Sequence, residues 1–343
     1  MGHLGPAIAV AHALRERAPD TKILFVGTRS GVERRVTLDF PTQSIIKVPL
    51  PRRIGVALLL FPLRFLIALF QSLPLVLRSE VVVGFGGYVA TPIYLAAWML
   101  RKRIILHEAN ALPGFANRVG RALGADCFAN FERVAISWSC PAIGIPLRSE
   151  IIELARSGTS ASSQGSTPEV LVVGGSQGSN SLNQAIWGAI PHFLAMDEKV
   201  KIHHSVGPGH LSKVPAGLAG DAYRPVGYID DMAEAYRRAD LVVARGGAVT
   251  CAEILALGKR AIVVPLGHGN GEQSINAQTL VENGNAISVP DSQFDDEWLV
   301  KNLTRALSLT PSIPDRESLE SHYLNATTVM VDAILAIASG ARS

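Results

Sequence analysis

The clearest alternation of apolar and polar positions runs from Leu241 to Ala277, LVVARGGAVTCAEILALGKRAIVVPLGHGNGEQSINA. The short apolar run Leu241–Ala244 predicts a strand buried on both faces. Arg245-Gly246-Gly247 turns the chain, the apolar positions of Ala248–Leu257 recur at helical spacing, and Gly258 ends that helix. A second apolar run, Arg260–Leu266, predicts the next strand, and a Gly/His/Asn loop leads into a helix from about Gln273. This succession is a unit of an open parallel sheet, in which ligands sit at the carboxyl ends of the strands.

The same pattern extends in both directions. Glu169–Val173 predicts a strand, Gly174–Ser179 a glycine loop and Leu182–Ile190 a helix; strands at Lys201–Ser205 and Tyr223–Val226 follow. Asp230-Asp231 precedes a helix over Met232–Ala239, Ile287–Val289 predicts a last strand, and the tail is helical over Tyr323–Ala338. In the first half a helix runs to about Arg17, with strands at Thr21–Gly27, Glu80–Gly84 and Arg103–Leu106 and weaker ones at Asp126–Phe131 and Ala142–Gly144. Helices are predicted over Thr91–Leu100 and from Phe115. The fold class is α/β. Residues 157–168, SGTSASSQGSTP, predict a flexible linker between domains at 1–156 and 169–343, with the tail helix packing back on the first.

Ile54–Leu77 is the most apolar stretch, interrupted by Pro62, Arg64, Gln71 and Pro74 and flanked by Arg52, Arg53 and Arg78. Its length of roughly 20 residues would suit a membrane span, yet the α/β pattern resumes at once. A helix buried in the domain fits it best, ahead of a helix lying on anionic lipid.

Composition narrows the classes. The chain has 343 residues, 48% of them hydrophobic and 18% charged, enough for two cores. A net charge of +3 is too small to argue for nucleic acid. Cys127, Cys140 and Cys251 are odd in number and far apart, which suits neither a disulfide framework nor a zinc site and points to a reducing compartment.

Candidate chemistry clusters at the loops. A helix N-terminus after a glycine turn favours phosphate, and Gly174–Gly178 has the context of a phosphate loop without the lysine of a P-loop. Glu253, further inside its helix, would repel phosphate; it suits a ribose diol or simply faces solvent. His107-Glu108-Ala109-Asn110 suits hydrogen bonding better than metal, and Asp230-Asp231 suits a helix cap better than a divalent ion. His3 opens the first helix, where a neutral imidazole could take a proton from a hydroxyl nucleophile.

Taken in order, GHLGPAIAVAHAL, VVVGFGGYVATP, HEANALPGFANR, GIPLR, VVGGSQGSNSLN, YIDDMAEAYRRADLVVARGGAVTCAE and EQSINAQTLVENGNA resemble the MurG family of bacterial cell-wall N-acetylglucosaminyltransferases. The resemblance implies a GT-B architecture, two Rossmann-like domains facing across a cleft. It implies transfer of GlcNAc from UDP-GlcNAc to the C4 hydroxyl of undecaprenyl-pyrophosphoryl-MurNAc-pentapeptide (lipid I), with inversion and without cofactor or metal. Glu253 would then bind ribose and Ile229 uracil; Ser176 and the turn of Ala248, Val249, Thr250, Cys251 and Ala252 would hold pyrophosphate. Gln273 would meet the sugar, Asn110 and Arg148 would reach sugar and phosphates, and His3 is the candidate base. The implied setting is peripheral, on the cytoplasmic face of the plasma membrane, with Ile54–Leu77 on anionic lipid. Two features depart from the family pattern: only Gly2-His3 stands for its opening strand and GGTGGH-like loop, and Glu272 replaces the first of a glutamine pair. An epimerase acting on UDP-GlcNAc and a non-catalytic nucleotide-sugar binder are the rival readings.

Overall fold

The computed structural model describes residues 2–28, 39–48, 56–158, 167–195, 199–267 and 270–340. Met1, Arg52, Arg53, Ile54 and residues 159–166 of the expected linker lie outside the described residues. The chain divides into two compact units, Met1–Arg148 with Glu320–Ser343, and Ser149–Leu319. The division falls ahead of position 156 because the helix Ser149–Ser157 packs on the helix Met232–Arg238 of the second unit.

In the first unit β1 (Phe25–Thr28) pairs in parallel with β2 (Thr42–Ile45). The polar sequence TQSI gave no hint of β2, which is exposed except at Ile45. Strands β3 (Val81–Gly84), β4 (Arg103–Glu108) and β5 (Asp126–Ala129) form a parallel sheet with β4 in the middle, buried from Ile104 onward. The run Ala142–Gly144 contributes one bridge, Ala142 to Ala129, rather than a strand. Helices Leu4–Arg17 and Ala326–Ala338 pack together, burying Val10, Leu14, Met330, Val331 and Ile334 against Ile105. The tail therefore belongs to the first unit, and Arg17 pairs with Asp332 at 2.6 Å.

The long helix Val56–Leu77 has two apolar faces. Ala68, Leu69 and Val76 pack against Ile93, Tyr94, Ala96 and Ala97 of the helix Ala90–Met99. Leu59, Leu63, Leu66, Phe70 and Leu77 lie on the other face and are 49–80% exposed. Their spacing of three, four and seven residues keeps them on one stripe. By length and composition alone this helix could cross a membrane, and within its unit it packs along one side.

In the second unit β6 (Glu169–Val173), β7 (Lys201–Ser205), β8 (Tyr223–Val226), β9 (Leu241–Ala244), β10 (Arg260–Val263) and β11 (Ala286–Ser288) form one parallel sheet in the order β11-β10-β9-β6-β7-β8. Every connection is a crossover, and the winding reverses between β6 and β9, which lie side by side with Val173 opposite Ala244. That reversal opens the crevice where ligands bind in doubly wound sheets. Leu182, Ile186 and Ile190 on one helix and Leu299 and Leu303 on another close the core over Val170, Val172, Val243 and Ile262.

Each unit buries a histidine. Trp187 Nε1 donates to the Tyr223 hydroxyl at 2.8 Å, and that hydroxyl is hydrogen-bonded to His204 Nδ1 at 3.1 Å. His107 Nε2 donates to the Gly144 carbonyl at 2.7 Å. Burial lowers His204 to about 3 and His107 to about 4, so both imidazoles are neutral when folded. Between the ordinary histidine value of about 6.5 and pH 4 the unfolded chain binds more protons than the folded one. Stability therefore falls as pH drops through that window. Urea midpoints are expected to decline from about pH 6.5 to pH 5, above the range where most carboxylates titrate, and His204→Asn is expected to reduce that slope.

Candidate functional site

At the reversal point two turns meet. After β6 the chain passes through Gly174–Ser179, with Gly175 at φ +90° and Gly178 at φ +76°, where a side chain would be strained. A Cβ on Gly178 would collide with the carbonyl of Val206, so the loop lies directly on the chain leaving β7. Ser176 sits half-buried inside it. After β9, Arg245-Gly246-Gly247 leads into the helix Ala248–Ala256. The first N–H with an acceptor inside that helix is Cys251, which donates to the Gly247 carbonyl at 2.9 Å. The N–H groups of Ala248, Val249 and Thr250 precede it, at the positive end of the helix. Cys251 and Ala252 face the interior, 3% and 5% exposed, and burial pushes the Cys251 thiol up to about 12.

Glu253 is 5% exposed, which removes the solvent-facing alternative. Its Oε2 accepts from the Tyr236 hydroxyl at 2.9 Å. A carboxylate has about four acceptor positions, so further hydroxyl donors can be met there. Tyr236 belongs to the helix Met232–Arg238, which follows Ile229, itself 6% exposed. Asp231 caps this helix by accepting from the Glu234 N–H at 2.9 Å. Gln273 lies against the β9 turn: its carbonyl touches Gly246, where a Cβ would not fit. Its Oε1 accepts from Leu266 N–H at 3.1 Å. Asn276, 1% exposed, donates to the Gly246 carbonyl at 3.2 Å. Ser176, Ala248–Thr250, Glu253 and Gln273 are thus assembled at one end of the second unit's sheet.

In the first unit His3 precedes the helix Leu4–Arg17, and its Nδ1 lies 2.7 Å from the carbonyl of Phe85. A carbonyl only accepts, so Nδ1 carries a proton, and in the neutral ring the lone pair is then on Nε2. Gly86 and Gly87, at φ +94° and +89°, let this ring approach: a Cβ on Gly86 would come within 3.2 Å of it. Asn110 hangs from the same framework. Glu108, 1% exposed, accepts from Asn110 N at 2.9 Å and Asn110 Nδ2 at 3.2 Å through Oε1. Through Oε2 it accepts from Gly114 N at 2.9 Å and Asn117 Nδ2 at 3.0 Å. Glu108 therefore shapes the loop that presents Asn110. Arg148 is half-buried and ends the first segment of the first unit.

Sequence reasoning missed Asn117, Asn276, Tyr236, Arg245 and Asp291. An arginine directly after the wholly apolar run Leu241–Ala244 was a signal, since a charge there needs partners. Asp291 carried none, because its partners lie 46 and 110 positions away.

Residues 1–123 match the glycosyltransferase family 28 N-terminal domain, and residues 169–326 the glycosyltransferase family 28 C-terminal domain. A relative from Thermobifida fusca, named UDP-N-acetylglucosamine--N-acetylmuramyl-(pentapeptide) pyrophosphoryl-undecaprenol N-acetylglucosamine transferase, is 36% identical over 99% of this chain and 93% of its own. The crystal structure of Acinetobacter baumannii MurG superposes with a TM-score of 0.71 at 28% identity, covering 97% of this chain and 96% of that one. A UDP-N-acetylglucosamine 2-epimerase structure from Listeria monocytogenes reaches 0.64 at 13% identity over 98% and 94% of the two chains, a likeness of fold alone. Two α/β units of this topology, glycine turns at a sheet reversal and near full-length identity above 30% converge: the chain belongs to the MurG family of GT-B N-acetylglucosaminyltransferases.

Proposed function

We infer that the chain moves GlcNAc from UDP-GlcNAc to the C4 hydroxyl of lipid I, inverting the anomeric carbon and giving lipid II. The transferase activity is that of the family. The observation that carries the assignment of the donor to the second unit is the pairing of two glycine turns at the reversal of its sheet, with a buried carboxylate inside the adjoining helix. Pyrophosphate suits the N–H groups of Ala248, Val249 and Thr250 with Ser176 opposite. Ribose hydroxyls suit Glu253, held by Tyr236. Uracil is assigned to the Ile229 backbone, and the GlcNAc hydroxyls to Gln273, whose Nε2 is the donor left once Oε1 is engaged.

The acceptor is assigned to the first unit. The oxygen of the C4 hydroxyl attacks the anomeric carbon, the bond from that carbon to the β-phosphate oxygen breaks, and UDP carries away the electron pair. His3 Nε2 takes the hydroxyl proton, for which the Phe85 carbonyl has set the required tautomer. Negative charge grows on the β-phosphate, where the helix N-terminus and Ser176, with Arg148, would stabilise it. Asn110 would contact sugar or phosphate.

The enzyme is membrane-associated, like its family, and we assign the contact to the exposed stripe Leu59, Leu63, Leu66, Phe70 and Leu77. Arg64 and Arg78 are exposed beside it and would favour anionic lipid. Free thiols at Cys127, Cys140 and Cys251 suit the reducing, cytoplasmic face.

Glu253→Ala is expected to raise KM for UDP-GlcNAc by about tenfold or more with a smaller change in kcat; an unchanged donor affinity would refute the ribose assignment. His3→Ala is expected to lower kcat by roughly 10²–10⁴-fold with little change in either KM, read in steady-state assays with lipid I. Leu63→Glu with Phe70→Glu is expected to abolish sedimentation with anionic vesicles while UDP binding stays intact, and retention on those vesicles would exclude this stripe.

A further inference from the structure

Arg245 reaches from the β9 turn to three other segments. Its NH1 donates to Asp291 Oδ1 at 2.7 Å and to the Val264 carbonyl at 3.1 Å. Its NH2 donates to the hydroxyls of Ser179 and Ser181, each at 2.6 Å. Ser181 in turn donates to Asp291 Oδ1 at 2.8 Å, which closes a ring of three side chains. The Arg245 side chain is only 10% exposed, and its Nε is buried without a partner. A guanidinium has five N–H donors and its charge here already faces a carboxylate. Thus engaged, Arg245 acts as a brace and not as a phosphate ligand: it ties Ser179, the end of the glycine loop, to the turn that opens the helix Ala248–Ala256.

Asp291 holds that brace from the opposite side. It lies beyond β11, outside both turns. Removing its carboxylate would leave a largely buried cation with hydroxyl and carbonyl partners only, a state that costs enough to rearrange the group. The helix carrying Ser181 would lose the same anchor. We propose that Asp291 and Ser181 are positioning residues for the donor pyrophosphate: acting through Arg245, they set the separation of the two turns that grip it. This rests on the reading of the second unit as the donor site.

The test compares UDP with uridine, which lacks the pyrophosphate, on Asp291→Ala and Ser181→Ala enzymes. Calorimetry with UDP, nuclear magnetic resonance titration with uridine, and KM and kcat with both substrates are measured. UDP dissociation constants are expected to rise about tenfold in D291A and about threefold in S181A, with KM for UDP-GlcNAc following. Uridine affinity and KM for lipid I are expected to stay within about twofold. Parallel loss of UDP and uridine affinity would mark a general structural role and overturn the proposal, as would unchanged UDP affinity. If D291A does not fold, S181A decides by the same comparison. Glu253→Ala separates the two levels: if it binds UDP and uridine as the unaltered enzyme does, the donor-site reading fails whatever the Asp291 and Ser181 variants show.

Discussion

The second unit depends on backbone meeting backbone at the carboxyl ends of its strands. Gly178 lies on the carbonyl of Val206, Gly207 on that of Gln177, and Gly246 on that of Gln273. A single Cβ at any of these places would push one loop off its neighbour. Without side chains between them, the loop after β6 lies on the chain leaving β7, and the turn after β9 lies on the start of the helix Glu272–Glu282. Glycine carries a conformational cost in the unfolded chain, offset here by the Val/Leu/Ile core under helices Asn180–Ala195 and Asp296–Leu307.

The first unit solves a similar problem with a carboxylate. Glu108 is buried, yet both of its oxygens accept hydrogen bonds from one loop, two of them from backbone N–H groups. Asn117 joins this hub to the Tyr94 hydroxyl and the His107 carbonyl. Burial drives the Tyr94 hydroxyl well above its ordinary range and keeps His107 neutral. Polar groups that look like metal ligands in a string of letters are here the internal bracing of a loop, because a buried donor or acceptor must find a partner.

Hydrophobicity serves two ends in the helix Val56–Leu77. One apolar face closes a core; the other is exposed among the described residues. An apolar stripe this large on a surface is the feature on which the proposed lipid contact rests.

Much could be read from the chain alone. Periodicity located most strands of the second unit, the glycine turns and the helix carrying Glu253, since these depend on neighbours in sequence. The motif strings led to the family, because several specific spacings recur in one order. Boundaries were less legible: β10 ends at Val263 and not Leu266, and TQSI is a strand only because Phe25–Thr28 lies beside it. Tertiary structure alone decided that Glu253 is buried under Tyr236, which His3 nitrogen keeps its lone pair, and that Asp291 meets Arg245. The physical reason is range. Helix and strand signals are carried by residues a few positions apart, whereas an ion pair or a tautomer is chosen by groups that only folding brings within hydrogen-bond distance.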